Sequence, residues 1–539
     1  MGGAMRDFLH RRLTRRTLLE RGTLLSLGAV LASSGSSFAQ PAPRDELRLS
    51  FTSLGTEALD SILGPNNNLP YLDLVYDAVV GNNYKATGVS QRAGLAKSWS
   101  VSPDSRTFTF QLRQWKFHNG DAVTAEDVVF SVKRLGGPRD VSPLGRQVAA
   151  NLDSVTATGP SEVTIKLKNP TPAFLVGIFN EMTDVSSLVV PMKYFEKVGQ
   201  DVFALNPVGS GPYKIVRHQV GALIQLQPAY PEHYAIGKPR FNTVTMRIVA
   251  DENTRISQLK TGAADFIDVA ATSVPALVKA GFHAYPRKTP DDLMIVFQSQ
   301  KSSDPTSDIN LRKALAYAIN RDEMNKQLMS GLGTVTGEWM AGQIGLKPVP
   351  AIPYDLQMAK AFLAKTPYGP GGQTLTMQLQ IPNRDGWPQM LALGQAVQGY
   401  WKAISVDTNI INQDWGTMRA QWVSHTLPSP TAIMFNLPGV VAWLPNASVF
   451  MGCAGVLSAV CDPHMQSLLE EWGKKANMPS YIAAAATTQQ SVLENFYAVP
   501  ILEAPGYYVG NAQIRPDYSP GVSFLGINTR ALVSSNYNY

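Results

Sequence analysis

The chain has 539 residues, 44% of them apolar and 16% charged, a balance that suits a globular protein with room for two to four domains. Its formal net charge of +6 invites a nucleic-acid reading, but six arginines against two acids sit in the first 39 residues, leaving 41 basic against 39 acidic residues in the remainder. A basic face for nucleic acid is therefore not indicated.

The leader comes first. Thr14-Arg15-Arg16-Thr17-Leu18-Leu19 has the pattern of a twin-arginine export signal, and a modestly apolar run from Thr23 to Ala32 follows it. Ser37-Phe38-Ala39 supplies the small residues that flank a cleavage site before Gln40. The apolar run is too short to span a bilayer, which needs roughly twenty residues. Residues 1–39 are thus expected to be a signal peptide, and the mature chain a soluble protein of the periplasm. Only Cys453 and Cys461 occur. An oxidising compartment favours a disulfide between them, closing a short loop worth roughly 2–3 kcal/mol, with two buried free thiols as the other reading. Their spacing suits neither a redox CxxC motif nor zinc.

Leu47 to Phe51 alternates as a first strand, Gly64-Pro65-Asn66-Asn67-Asn68 reads as a turn, and Leu72 to Val80 suits a buried helix. The stretch from Gly94 to Arg134 is the most structured by pattern. Thr107-Phe108-Thr109-Phe110-Gln111-Leu112 alternates with period two and Asn119-Gly120-Asp121 turns the chain. Thr124, with Asp127 three residues on, is positioned to cap a helix whose apolar face carries Val128, Val129, Val132 and Leu135.

This stretch closely resembles the signature of the solute-binding family of bacterial ABC importers that takes up oligopeptides, dipeptides, nickel chelates and opines. The matches are Leu95-Ala96, Ser98-Trp99, Pro103-Asp104, Thr109-Phe110, Leu112-Arg113, Lys116-Phe117-His118, Gly120, Ala125 and Asp127 to Ser131. Further along, Val208-Gly209-Ser210-Gly211-Pro212-Tyr213 resembles the family's VGTGPY turn, and small residues there suggest positive φ angles or a close strand approach. A nucleophile elbow would need Gly-x-Ser-x-Gly, which is absent around Ser210. Tyr234 to Pro239 matches the family's Y-x-x-GKP turn, Asp251 to Gly262 its D-x-x-x-R-x-x-x-L-x-x-G helix, and Asn310 to Arg321 its VRQALAYAIDR helix. Strands at 163–167, 244–248, 265–268, 374–380 and 405–411, with helices at 358–364, 390–404, 468–475 and 482–495, complete an α/β pattern.

The resemblance covers nearly all of Leu47–Asn528. It implies a two-lobed periplasmic binding protein (type II, class C-like) with an extra subdomain in the first lobe and a ligand cleft between lobes. The implied division is a first-lobe core of 44–63, 194–291 and 496–539, an extra subdomain of 64–193 and a second lobe of 292–495, with three crossings forming a hinge. It also implies a small-molecule ligand, peptide or opine-like, and ABC permease and ATPase subunits as partners. A monomer with neither cofactor nor metal nor catalysis is expected.

Peptide binders of the family anchor the ligand's amino terminus with an Asp in a W-x-x-D-x-x-DP segment. The corresponding region here, Ala432 to Asn446, has no such residue, and no acid occurs between Asp414 and Asp462. A free ammonium would lose its charged partner, which weighs toward opine-like or sugar-conjugated ligands. Candidate ligand contacts on the second lobe are Arg384, Trp387, Trp415, Asn436, Trp443 and Asn446. Arg384 follows a predicted strand end and can pair with a carboxylate, and the tryptophans can stack on planar groups. Asn67, Asn68 and Tyr71 are the first-lobe candidates at the cleft rim. The rivals are an exported hydrolase and a periplasmic chaperone or sensory adaptor. The seven histidines show no HExxH spacing, and no phosphate-cradling loop is present.

Overall fold

The computed structural model describes residues 45–64, 68–82, 89–181, 185–287, 291–339, 346–383, 389–438, 443–455, 457–504, 506–518 and 527–535. The leader at 1–39 lies outside them. Two large sheets organise the chain. The first has seven strands in the order His283–Pro286, Tyr507–Gly510, Phe266–Val269, Glu46–Phe51, Thr243–Ile248, Leu223–Pro228, Tyr213–Gln219. Its three central strands run parallel, joined by the Glu252–Lys260 helix that Asp251 caps.

The second sheet has six strands, in the order Thr334–Val335, Ala498–Ala504, Asp291–Phe297, Thr431–Pro438, Leu375–Asn383, Val406–Asp414. Leu293, Ile295 and Phe297 pack into one core while Met294 and Val296 pack into another. This sheet is therefore covered on both faces, which is why its central strands read as unbroken apolar runs.

The extra subdomain is a four-stranded antiparallel sheet, ordered Ala96–Val101, Thr107–Leu112, Glu162–Leu167, Leu152–Gly159. The Ala125–Lys133 helix packs over it with the anticipated capping box: Thr124 Oγ1 accepts from Asp127 N, and Asp127 Oδ2 accepts from Thr124 N at 2.8 Å. Leu95 leads into the Ala96–Val101 strand. Cys453 and Cys461 form a disulfide.

Two elements differ from expectation. The helix placed at 72–80 runs Leu69–Val75, because residues 77–79 pair instead with 187–189 (Val79 N to Ser187 O, 2.8 Å; Val189 N to Asp77 O, 3.0 Å). The helix read across 310–321 is two helices, Ile309–Tyr317 and Arg321–Leu328. Asn320 breaks it by accepting from Glu323 N and starting the second. Arg312 and Arg321 are buried and donate to main-chain carbonyls: Arg312 Nε to Asn495 O at 2.9 Å, Arg321 Nε to Pro500 O at 2.9 Å. Burial pulls both guanidinium groups down to about 10.

Two of the motifs that carried the resemblance turn out to be one joint. Trp115 Nε1 donates to Ser210 O at 3.0 Å, His118 Nε2 donates to Gly211 O at 2.9 Å, and His118 N donates to Gly209 O at 2.8 Å. The signature hairpin thus bolts the extra subdomain to the Gly209-Ser210-Gly211 turn of the first lobe. Close approach, not positive φ, explains these glycines: a Cβ on Gly209 would lie 1.9 Å from Val75 O.

His118 titrates with a clear sign. Burial pushes its imidazole down from 6.5 to about 4, with the Gly211 bond opposing the shift. Between these values the unfolded chain binds a proton that the native state refuses. Stability is complete above pH 6.5 and falls toward pH 4, by about 3 kcal/mol in all. In His118→Asn, urea titrations at pH 7 and pH 4 should show that drop reduced by about that amount; parallel curves for variant and wild type would refute the assignment.

Candidate ligand-binding cleft

The chain passes between the two sheets twice, from Pro286 to Asp291 and from Ala504 to Tyr507. Among the described residues no third passage between these sheets is seen, and Ala498–Ala504 belongs to the second sheet, so the return falls beyond 504. Register shows what these linkers face. In the first sheet Pro286 and Val269 both pair with Tyr507, so the linkers leave from the end where the parallel strands finish. In the second, Asp291 pairs with both Ala504 and Pro438, and the parallel strands finish at Asn383, Asp414 and Pro438 on that same end. Each sheet therefore presents the carboxyl ends of its parallel strands toward the linkers, the place where open α/β sheets bind ligands.

The linkers are braced. Arg287 N donates to Gly506 O at 2.9 Å, tying one crossing to the other, and the Arg287 guanidinium pairs with Asp291. Asn436 Nδ2 donates to the other carboxylate oxygen of Asp291 at 2.9 Å. Asn436 is buried, and through this bond it positions the linker carboxylate. Sequence reasoning passed over Arg287, Asp291 and Asp292. The available signal was two acids opening an otherwise apolar strand, Asp291-Asp292-Leu293-Met294-Ile295-Val296-Phe297.

On the first-lobe side the polar groups at the strand ends are engaged with one another. Asp268 accepts from Thr52 Oγ1 at 2.6 Å and pairs with Arg255 at 2.9 Å; burial raises its carboxyl, which Arg255 partly offsets. Asn68 and Tyr71 are buried too. Asn68 Oδ1 accepts from Thr56 N at 3.0 Å and the Tyr71 hydroxyl donates to Ala58 O at 2.9 Å, so both hold the loop after the first strand. Asn67 lies outside the described residues, as do Arg384 and Trp387.

The second-lobe candidates fare differently. Arg384 follows Asn383 in sequence, and Asn383 pairs with Asp414, after which Trp415 opens the Trp415–Val423 helix. Trp443 and Asn446 lie on the Trp443–Met451 helix, the next element after the Thr431–Pro438 strand. The backbone thus brings two helix N-termini to the cleft end of the second sheet, where backbone N–H groups and the helix dipole favour negative charge. The side chains of Trp415, Trp443 and Asn446 lie outside the described set. Glu503 on the neighbouring strand end is half-buried; burial and Glu338 raise its carboxyl, and Thr336 opposes them. Among the described residues no group of three or more His, Cys, Asp or Glu side chains is placed to hold a metal ion, and no helix is long and apolar enough to cross a membrane.

Two sheets joined by paired linkers, with a cleft between their strand ends, define a two-lobed binding protein. The profile of the bacterial extracellular solute-binding proteins, family 5, middle region, matches residues 91–445, and the chain belongs to that family. Among curated relatives, the glutathione-binding protein GsiB of Escherichia coli O157:H7 is 28% identical over 286 residues, 52% of this chain and 54% of that protein. Heme-binding protein A of Haemophilus influenzae is 25% identical over 366 residues, 64% of this chain and 66% of that protein. The match to GsiB spans about half that relative's length. Among solved structures, AgaA from A. tumefaciens R10 in complex with agropinic acid superposes with a TM-score of 0.74 at 21% identity, covering 91% of this chain and 98% of that one. DppA from Helicobacter pylori in complex with the peptide STSA gives 0.71 at 18%, covering 91% and 97%. These likenesses establish the fold.

Proposed function

We propose that the chain is the substrate-binding component of an ABC importer, exported through its twin-arginine leader to the periplasm. Its lobes close on one small organic ligand and deliver it to a membrane permease, whose ATPase subunits supply the energy. The observation that carries this reading is the pairing of two sheets, strand ends facing, across two cross-braced linkers. The protein acts as a monomer and leaves its ligand chemically unchanged. A hydrolase would need a nucleophile–base pair at the cleft, and Ser210, the serine in the glycine turn, is buried in the subdomain joint.

The ligand class follows from charge. Arg384 and the two helix N-termini favour a carboxylate, while the stretch between Asp414 and Asp462 offers no acid to hold an ammonium. Peptide-like compounds, glutathione among them, and opines share that carboxylate, and proteins similar to this chain are named for binding them. Opine or sugar-conjugate capture is the second reading, favoured by the missing anchor Asp.

Native mass spectrometry of gently purified protein should reveal one retained small molecule. Arg384→Ala should weaken that ligand at least tenfold, the worth of a charge-assisted pair, without shifting the melting temperature of the free protein. Trp415→Ala should remove most of the ligand-induced fluorescence quenching. Undiminished affinity in Arg384→Ala would remove the carboxylate assignment, and hydrolysis of peptides or esters by the pure protein would replace the receptor reading with the enzyme one.

A further inference from the structure

The two lobes meet a second time, away from the linkers. Ser105, on the turn between the Ala96–Val101 and Thr107–Leu112 strands of the extra subdomain, donates through Oγ to Ala476 O at 2.6 Å. Ala476 lies in the second lobe, between the Pro463–Gly473 and Met478–Glu494 helices. Nearby, Ala173 of the subdomain is buried in a cluster whose other buried members are second-lobe residues, Trp339, Met418 and Trp472 among them, and Val176 packs against the same cluster.

Each half of this contact is built by its own body. On the subdomain, Thr171 N donates to Ser105 O at 3.0 Å, Phe174 N to Thr171 O at 3.0 Å, and Asn151 Nδ2 to Thr171 Oγ1 at 3.0 Å, so the Ser105 and Ala173 turns are fixed to one another. On the second lobe, Lys475 N donates to Trp472 O at 3.1 Å and Asn477 Oδ1 accepts from Ser480 N at 3.0 Å, which holds Ala476 between two finished helix ends. Beside the contact the bodies stand apart, with a groove of about 670 Å³ between the Pro143–Asn151 helix and the Trp443–Met451 and Pro463–Gly473 helices. The junction is a touch between two completed surfaces.

The Trp115–Ser210 and His118–Gly211 bonds make the subdomain move with the first lobe. Any swing of the lobes about the linkers therefore breaks or remakes this touch. On opening, water replaces the partner of Ser105 and of Ala476, while Ala173 and Val176 lose their apolar cover.

We propose that Ser105, Ala173 and Val176 form a latch that holds the lobes shut without touching the ligand, and that its strength sets the balance between open and closed chain. Its purpose rests on the receptor reading: a latch that favours closure tightens capture in the cleft, because closing draws less on the ligand's own contacts. The test needs no ligand. Spin labels at Lys166→Cys of the subdomain and Ser467→Cys of the second lobe, both exposed positions, report the distance between the bodies in free chain 40–539 by pulsed electron resonance. Ser105→Gly removes the hydroxyl alone, because Ser105 has φ +53°, which glycine adopts without strain. It should keep the melting temperature and raise the ratio of long to short distances about fivefold, as loss of one net hydrogen bond does. Ala173→Asp sets a charge into the apolar side of the contact and should leave the long distance dominant. An unchanged ratio in Ser105→Gly, or short distances alone in folded Ala173→Asp, would overturn the latch. Longer distances in the variants of a chain that binds neither glutathione, dipeptides nor opines would uphold the latch and count against the receptor reading instead.

Discussion

Replacing Arg530 with methionine should destabilise the protein by roughly 3–5 kcal/mol, the usual cost of removing one partner from a buried ion network. The C-terminal Thr529–Val533 helix inserts this side chain into the first lobe, where it is 1% exposed. Its Nη2 pairs with Asp77 Oδ1 at 2.9 Å and donates to Tyr76 O at 2.7 Å, Nε donates to Asp73 O at 2.6 Å, and Nη1 lies 3.7 Å from Glu181. Without the guanidinium, three buried acids, Asp73, Asp77 and Glu181, would share one interior with a single histidine, His233, 3.4 Å from Asp77. Burial alone would raise the Asp77 carboxyl; His233 and Arg530 instead hold it at about 2. Its stabilising contribution is thus present above pH 3.8 and lost as pH falls toward 2. Adding Asp77→Asn to Arg530→Met should recover part of the loss, because the two groups form one unit. A single-variant cost under 1 kcal/mol in urea unfolding would contradict the network's role.

The second large effect should come from Gly209→Ala. Its Cβ would fall 1.9 Å from Val75 O and 2.7 Å from Val75 C, both main-chain atoms that cannot rotate aside. Relief requires moving the Leu69–Val75 helix end, where Gly211 N donates to Val75 O at 2.9 Å, or breaking the His118–Gly209 bond. Overpacking together with a lost hydrogen bond should cost about 3 kcal/mol or more. Gly221→Ala is the control. It has φ +74° but nothing within 4 Å, so it meets conformational strain alone, about 1–2 kcal/mol. Equal melting-temperature losses for the two variants would show that space at Gly209 is not the constraint.

How much could be seen in advance depended on whether an interaction was local. The Thr124–Asp127 cap, the Thr107–Leu112 strand and the helices after Asp251 and in the second lobe all rest on neighbours within a few residues, and their patterns are visible in the linear chain. Arg530 was invisible because its partner Asp77 lies 453 positions away and no periodicity marks it. The partners of Asn68, Tyr71 and Asn436 were hidden for a related reason. Polar side chains beside a cleft attract a ligand reading, yet these three satisfy carbonyls and carboxylates that only tertiary pairing brings near. The short helix at 69–75 shows the same override, since residues 77–79 find better partners across the sheet bridge to 187–189 than in a further helical turn. At the cleft itself, strand order could be anticipated from the α/β alternation, but the double crossing and its Arg287–Asp291–Asn436 brace could not.

The receptor account turns on movement of the two sheets about those braced linkers. Small-angle X-ray scattering of residues 40–539, stripped of bound molecules and then titrated with glutathione, dipeptides and opines, measures that movement directly. One of these compounds should lower the radius of gyration saturably, in step with one-to-one heat release in calorimetry. A ligand that binds by calorimetry yet leaves the radius unchanged would contradict lobe closure.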